Sequence, residues 1–220
     1  MRLAAISDLH GNLIPIKKCE VLCICGDIVP LDIQRNVQRS SVWITKHFAK
    51  YIISLPCEKV FIVAGNHDFA FEKNLELGKE LNKFTFGKAV VLKNETVTYV
   101  SEKGKTYTIF GSPFCKRFHD WAFNRGSDVL YKAYNLMPEN CDIMLTHDAP
   151  YGVSDQVAGN HCGNPELKKV VEAKQPGILL HGHLHESNHD VEYINKTMVY
   201  NVSVLNEMYR IKFKPLYLEI

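Results

Sequence analysis

Five apolar, strand-like runs in this chain each end on residues able to bind a metal ion. Residues 3–7 lead into Asp8-Leu9-His10 and residues 21–25 into Gly26-Asp27. Residues 60–64 lead into Gly65-Asn66-His67-Asp68, residues 142–146 into His147, and residues 177–181 into Gly182-His183-Leu184-His185. Imidazole nitrogens and carboxylate oxygens suit first-row transition metals. Taken singly, each word is an ordinary turn: Gly-Asp after a strand commonly only reverses the chain. Together, five strands delivering Asp, His and Asn to one edge make the pattern of a dinuclear metal centre. Ligands of open α/β sheets bind outside the carboxyl ends of the strands.

The elements that must position these residues follow from periodicity. Runs such as Val60-Phe61-Ile62-Val63-Ala64 are apolar without alternation, as strands buried on both faces are. Between residues 42 and 55, Trp43, Ile44, Phe48, Tyr51, Ile52 and Leu55 recur at three and four, which predicts an amphipathic helix stopped by Pro56. Residues 69–81 read as a charged helix, 129–137 and 165–174 as short helices. Residues 90–92, 96–100 and 106–110 are short and rich in β-branched and aromatic residues, separated by turn residues, which predicts an antiparallel excursion. Residues 191–194, 198–202, 209–213 and 216–218 alternate like strands. Residues 151–163 read as a glycine-rich loop.

Residues 111–126 form a long connection holding Arg117, His119, Trp121, Asn124 and Arg125. Loops of this length in a compact domain are often binding loops. Aromatics interleaved with arginine either stack a ring and neutralise a phosphate or close a second hydrophobic core. His161 is either polar filler or a further substrate contact.

Composition narrows the class. The 220 residues are 46% hydrophobic and 23% charged, which fits one domain over residues 1–220. A net charge of +2 gives no surface for tracking duplex nucleic acid or an anionic membrane. No apolar run reaches the roughly 18 residues of a membrane span, and polar Ser7-Asp8 ends the first apolar run too early for a signal peptide. Cys23 and Cys25 lie on a strand facing a core or a helix layer. Seven cysteines, an odd number, with no recurring Cys-x-x-Cys, point to reduced thiols and a cytoplasmic setting. Oligomeric state is left open.

The words Asp8-x-His10, Gly26-Asp27, Gly65-Asn66-His67-Asp68, His147 and Gly182-His183-x-His185, in this order, resemble the calcineurin-like metallophosphoesterase superfamily over about residues 2–203. The resemblance implies an α/β fold, an α/β/β/α sandwich of two mixed sheets flanked by helices. It implies that Asp8, His10 and His185 hold one divalent ion, that Asn66, His147 and His183 hold the other, and that Asp27 bridges them. His67 is then the catalytic histidine that binds no metal, and a metal-activated bridging water is the nucleophile. Asp68 or Asp148 is expected to orient a histidine from behind. Longer words, among them Gly111-Ser112-Pro113-Phe114, Thr146-His147-Asp148-Ala149-Pro150 and Asn201-Val202-Ser203, resemble the metallophosphoesterase-domain-containing branch, also described as class III cyclic-nucleotide phosphodiesterase-like. That branch implies a small phosphodiester substrate such as a cyclic nucleotide, with manganese favoured over iron, zinc, cobalt or nickel. A phosphomonoesterase is the alternative. A non-catalytic binding module is disfavoured, because all seven expected ligands and His67 are present. The superfamily's serine/threonine protein phosphatases continue Gly-Asp with an Asp-Arg-Gly word. Here Ile28-Val29-Pro30-Leu31 follow Asp27, so that activity is not expected and His67 lacks an evident orienting carboxylate.

Overall fold

In the computed structural model, which describes residues 1–220, the apolar runs become two mixed sheets. The first is ordered Leu216–Glu219, Arg2–Ile6, Val21–Cys25, Lys59–Val63, Ala89–Val91. The second is ordered Glu192–Ile194, Thr197–Asn201, Ile178–His181, Ile143–Thr146, Thr106–Ser112, Glu95–Val100. The central strands of each sheet are parallel and the antiparallel pairings lie at edges. Parallel centres bring the carboxyl ends of neighbouring strands to one rim. A parallel bridge from Ser7 to Ser203 joins the two sheets beside that rim, through Ser7 N–H to Val202 O (2.8 Å) and Val204 N–H to Ser7 O (3.1 Å).

Period-two alternation sorts the strand side chains into two cores. Val21, Cys23, Cys25, Phe61, Val63, Ile143, Leu145, Ile178 and Leu180 share the core between the sheets. Leu22, Ile24, Val60, Ile62, Met144 and Leu179 belong to the outer core with the helix residues Ile44, Phe48, Leu130, Leu167 and Val171. Cys23 and Cys25 therefore both lie between the sheets, and all seven cysteines are free.

Four elements depart from expectation. The helix predicted at 42–55 begins at Val37, where the Asn36 side chain accepts the Arg39 N–H at 3.0 Å; a π turn at Ile44–Phe48 then shifts its register before Ala49–Ser54. The helix predicted at 69–81 is two, Phe69–Lys73 and Leu77–Phe84, because the Asn74 side chain takes the Glu76 N–H and starts a new turn. Ala89–Val91 is no part of an antiparallel excursion but a parallel strand of the first sheet; a short β-branched run carries no signal of its partner's direction. Residues 209–213 form no strand. Asn206 Oδ1 accepts the N–H groups of Met208 and Arg210, and Tyr209 sits at φ 55°, which breaks the pleat.

Candidate metal centre

Every strand expected to carry candidate ligands ends on the shared rim. Arg2–Ile6 leads to Asp8 and His10, Val21–Cys25 to Asp27, Lys59–Val63 to Asn66 and His67, Ile143–Thr146 to His147, and Ile178–His181 to His183 and His185. Three overlapping groups of ligand atoms each converge within 4.8 Å: Asp8–His10–His185, Asp8–Asp27–His147 and His10–Asp27–His67. Asp27 Oδ2 lies 3.3 Å from His147 Nε2, 3.6 Å from His10 Nε2 and 3.8 Å from His67 Nε2. Asp8 Oδ1 lies 3.2 Å from His185 Nε2, and Asn66 Oδ1 lies 2.9 Å from His147 Nε2. The first group is the ligand set expected for one ion. Distance alone does not separate His67 from the ligands.

The backbone is held tightly to achieve this. Asp8, His10, Asp27 and His183 have φ of 57°, 41°, 53° and 72°, in the left-handed region that non-glycine residues visit at a cost. Such conformations persist only where the surroundings over-determine them. Asp8 N–H donates to Gly26 O (3.0 Å) and His10 N–H to Asp27 O (2.8 Å). His183 N–H donates to the Asp8 carboxylate and His67 N–H to Asp27 Oδ1 (2.8 Å). Gly26 is required as glycine: at φ 96° a Cβ would stand 2.5 Å from His147 Nδ1 and 2.8 Å from Gly65 Cα.

The histidines are oriented by carbonyls. His147 Nδ1 meets Cys25 O at 2.7 Å and His185 Nδ1 meets Asn206 O at 3.0 Å, leaving each Nε2 for the cluster. Neither Asp68 nor Asp148 orients a histidine, contrary to expectation. Asp68 is buried and accepts the N–H groups of Ile28, Val29 and Gly65, clasping the Asp27 loop to the Asn66 loop. Asp148 accepts from Lys116 N–H and Asn164 Nδ2. Both carboxylates thus spend hydrogen bonds on loop backbone and an amide, and neither makes one to an imidazole. The group beside His67 Nδ1 is the Gln34 side-chain carbonyl. Trp121 packs on the same imidazole with ring centroids 4.3 Å apart, and the Arg35 guanidinium lies 4.6 Å from the Trp121 ring.

The electrostatics fit cations. Burial pushes the Asp8 carboxyl up, but the His185 hydrogen bond and charge outweigh it and hold the group below the usual carboxylate range. Burial likewise opposes Asp27, whose neighbours His147 and His67 bring it well below that range. Burial lowers His147, but Asp27 overcomes this and lifts it to about 10. Burial lowers His10 to about 4 against the pull of Asp27 and Asp8. The only basic side chains within ion-pair distance of either aspartate are histidines. Both ring nitrogens of His10 are buried without a hydrogen-bond partner. Two buried carboxylates, convergent imidazoles and an unpartnered buried nitrogen fit a pair of divalent ions.

Above the cluster lies a cleft of about 560 Å³ whose wall includes Asp27, Asn66, His67, His183 and His185. Of the expected substrate contacts, Trp121 and His161 line it. Arg117 and His119 are exposed and lie outside its wall. Asn124 is occupied by Phe118 O and His119 O, and Arg125 by Glu72 (3.0 Å) and the face of Phe114 (4.5 Å), so neither forms the wall. The aromatic loop divides: Phe114, Ala122 and Phe123 enter the core, Trp121 and Phe118 line the cleft, and neither Arg117 nor Arg125 joins them there. Lys116, Tyr209, Glu186 and Glu207 line the wall without having been anticipated, and Gln34, outside the wall, contacts His67 from behind. Gln34 stands seven residues after Asp27 in an irregular loop, and no spacing rule singles it out.

Similarity to known proteins agrees with this geometry. The calcineurin-like phosphoesterase family model matches residues 1–187. Over 242 aligned residues the chain is 30% identical to human metallophosphoesterase domain-containing protein 1, covering 100% of this chain and 71% of that protein. UPF0046 protein K07C11.7 of Caenorhabditis elegans is 26% identical over 226 residues, 98% of this chain and 74% of the other. The solved structure of TT1561 of Thermus thermophilus has the same fold, with a TM-score of 0.63 at 14% identity over 91% of this chain and 88% of that one. The chain belongs to the calcineurin-like phosphoesterases.

Proposed function

We propose that the protein hydrolyses a small phosphodiester, a cyclic nucleotide being one candidate, with two divalent ions, manganese favoured. The observation that carries this reading is the pair of aromatic flanks. Trp121 packs on His67, while Tyr209 packs on His10 and His185 with ring centroids 5.0 and 5.1 Å apart. A diester has two organic arms, and both sides of the cluster offer apolar surface to receive them. The wall's one lysine, Lys116, is tied to Cys162 O (2.8 Å) and Gly163 O (3.0 Å), and no arginine joins it. That is a sparse set of cations for a doubly charged monoester and a sufficient one for a singly charged diester.

In this reading Asp8, His10 and His185 hold one ion, Asn66, His147 and His183 the other, and Asp27 both. Bound there, the ions would supply Lewis acidity towards phosphoryl oxygens and would lower the pKa of water. The Gln34 carbonyl accepts the Nδ1 proton of His67 and leaves Nε2 on the side of Asp27, facing the place this reading gives the phosphoryl group. As the new P–O bond forms and the ester P–O bond breaks, His67 Nε2 gives its proton to the departing alkoxide. Burial pushes the His67 pKa down, and a phosphoester anion beside the ring acts in the opposite direction. Trp121 covers the ring and limits water access.

The test is to strip metal, restore manganese, and compare bis-nitrophenyl phosphate with nitrophenyl phosphate. Manganese-dependent cleavage of the diester in preference to the monoester is expected. Preference for the monoester overturns the diester assignment and leaves the phosphomonoesterase.

A further inference from the structure

The glycine-rich segment 151–163 contains a small hairpin, Gln156–Val157 against Asn160–His161, that brings His161 to the cleft. Its anchor is Asp155, 1% exposed. One carboxylate oxygen, Oδ2, accepts the N–H groups of Gly152 and Gly163, both at 2.9 Å. Those two bonds close the loop. The second oxygen, Oδ1, is given to His161 Nδ1 at 2.6 Å, although that side chain is 40% exposed. Loop closure does not require this bond. Tyr151 flanks the imidazole at 5.5 Å between ring centroids. With Nδ1 engaged, Nε2 is the one free polar atom of the ring.

The neighbouring cation on this wall, Lys116, is committed to two backbone carbonyls. His161 Nε2 is therefore an unengaged nitrogen that this wall offers from outside the expected metal-ligand set, alongside the indole of Trp121. We propose that Asp155 and His161 form a substrate-positioning couple, in which His161 Nε2 donates to a phosphoryl oxygen of the bound ester from the wall and Asp155 fixes the ring. In the complex the ring donates from both nitrogens, to a buried carboxylate on one side and an anionic oxygen on the other. His161 contacts substrate; Asp155 is a positioning residue. This inference rests on the phosphoesterase reading of the cleft and adds a binding contact outside the metal ligands.

The experiment uses the full chain loaded with manganese. It compares the parent with His161→Ala, His161→Gln and Asp155→Asn. Three quantities are measured: metal per chain, the Kd of inorganic phosphate by calorimetry, and kcat and KM for bis-nitrophenyl phosphate. A lost hydrogen bond to a charged group corresponds to about tenfold or more in affinity. His161→Ala is expected to raise the phosphate Kd and the diester KM by about that factor, with kcat less affected and metal content unchanged. His161→Gln, which keeps an N–H donor, recovers part of the loss, and Asp155→Asn gives a smaller rise in KM. Unchanged phosphate Kd and KM in His161→Ala overturn the proposal, as does loss of metal in that variant. An Asp155→Asn effect confined to thermal stability reduces Asp155 to a loop clamp and overturns the couple. If the parent binds phosphate but cleaves no ester, the hydrolytic reading fails while the phosphate series still decides the role of His161.

Discussion

Asp27 and Phe118 both line the cleft, yet Asp27 is 2% exposed and Phe118 61%. The floor around Asp27 is built from strand ends, left-handed residues and backbone hydrogen bonds that cross between loops. The wall around Phe118 is an exposed loop stitched chiefly by the Asn124 side chain, at 2.8 Å to Phe118 O and 3.3 Å to His119 O. Floor groups sit in a buried, charge-rich setting where a displaced atom loses coordination or leaves a charge unpaired. Wall groups exchange with water at little cost. The floor is therefore the less tolerant of substitution and the wall the more tolerant.

The sharpest way to break this contrast is Asp27→Asn. It is expected to cost more than the roughly 10–100-fold of an outer-shell change and to lower metal content below two per chain, read by elemental analysis; full metal content with near-parent turnover removes Asp27 from the centre. His67→Ala comes next. About 10²–10⁴-fold lower kcat is expected, with metal content intact, and loss of metal instead would make His67 a ligand. Gln34→Ala, acting through His67, is expected to lower kcat roughly tenfold with KM nearly unchanged; a change confined to KM would place Gln34 in substrate binding. At the wall, Phe118→Ala is expected to raise KM for an aromatic diester about two- to tenfold at constant kcat. A fall in kcat as large as that of His67→Ala would erase the distinction between floor and wall.

The smallest effect lies far from both, at Glu20. Burial raises its carboxyl pKa, but the N–H groups of Arg2 and Glu102, at 2.7 and 2.8 Å, outweigh this and leave it lowered. A depressed folded pKa gives stability that is present above the unfolded value and lost as pH falls through the folded one. Glu20→Gln is expected to lower Tm by about 2–4 °C at neutral pH, with the gap to the parent closing in acid. A gap that persists in acid would show that charge is not involved.

The floor was legible in the sequence because its ligands follow apolar runs directly, and a buried parallel strand leaves its signature in consecutive residues such as Val60 to Ala64. The direction of Ala89–Val91 was not, since three β-branched or small residues pair equally well either way. Gln34 was hidden because its contact with His67 is made across loops thirty-three residues apart. Arg125 looked like a phosphate ligand, but its charge is used by Glu72 and its face by Phe114. Tyr209 was read as part of a strand, and only the Asn206 turn turns its ring towards His10 and His185.

His10 combines a left-handed backbone with two buried ring nitrogens that find no partner within the protein. Ring contacts to His67, His185 and Tyr209 are all that folding gains from an imidazole there; glycine adopts φ 41° with less strain and buries no side-chain polarity. In a lineage released from selection on turnover, this is the position where genetic drift would be favoured rather than resisted. A pseudoenzyme descended from this fold would be expected to reveal itself first at His10, as a hardier protein with a missing histidine.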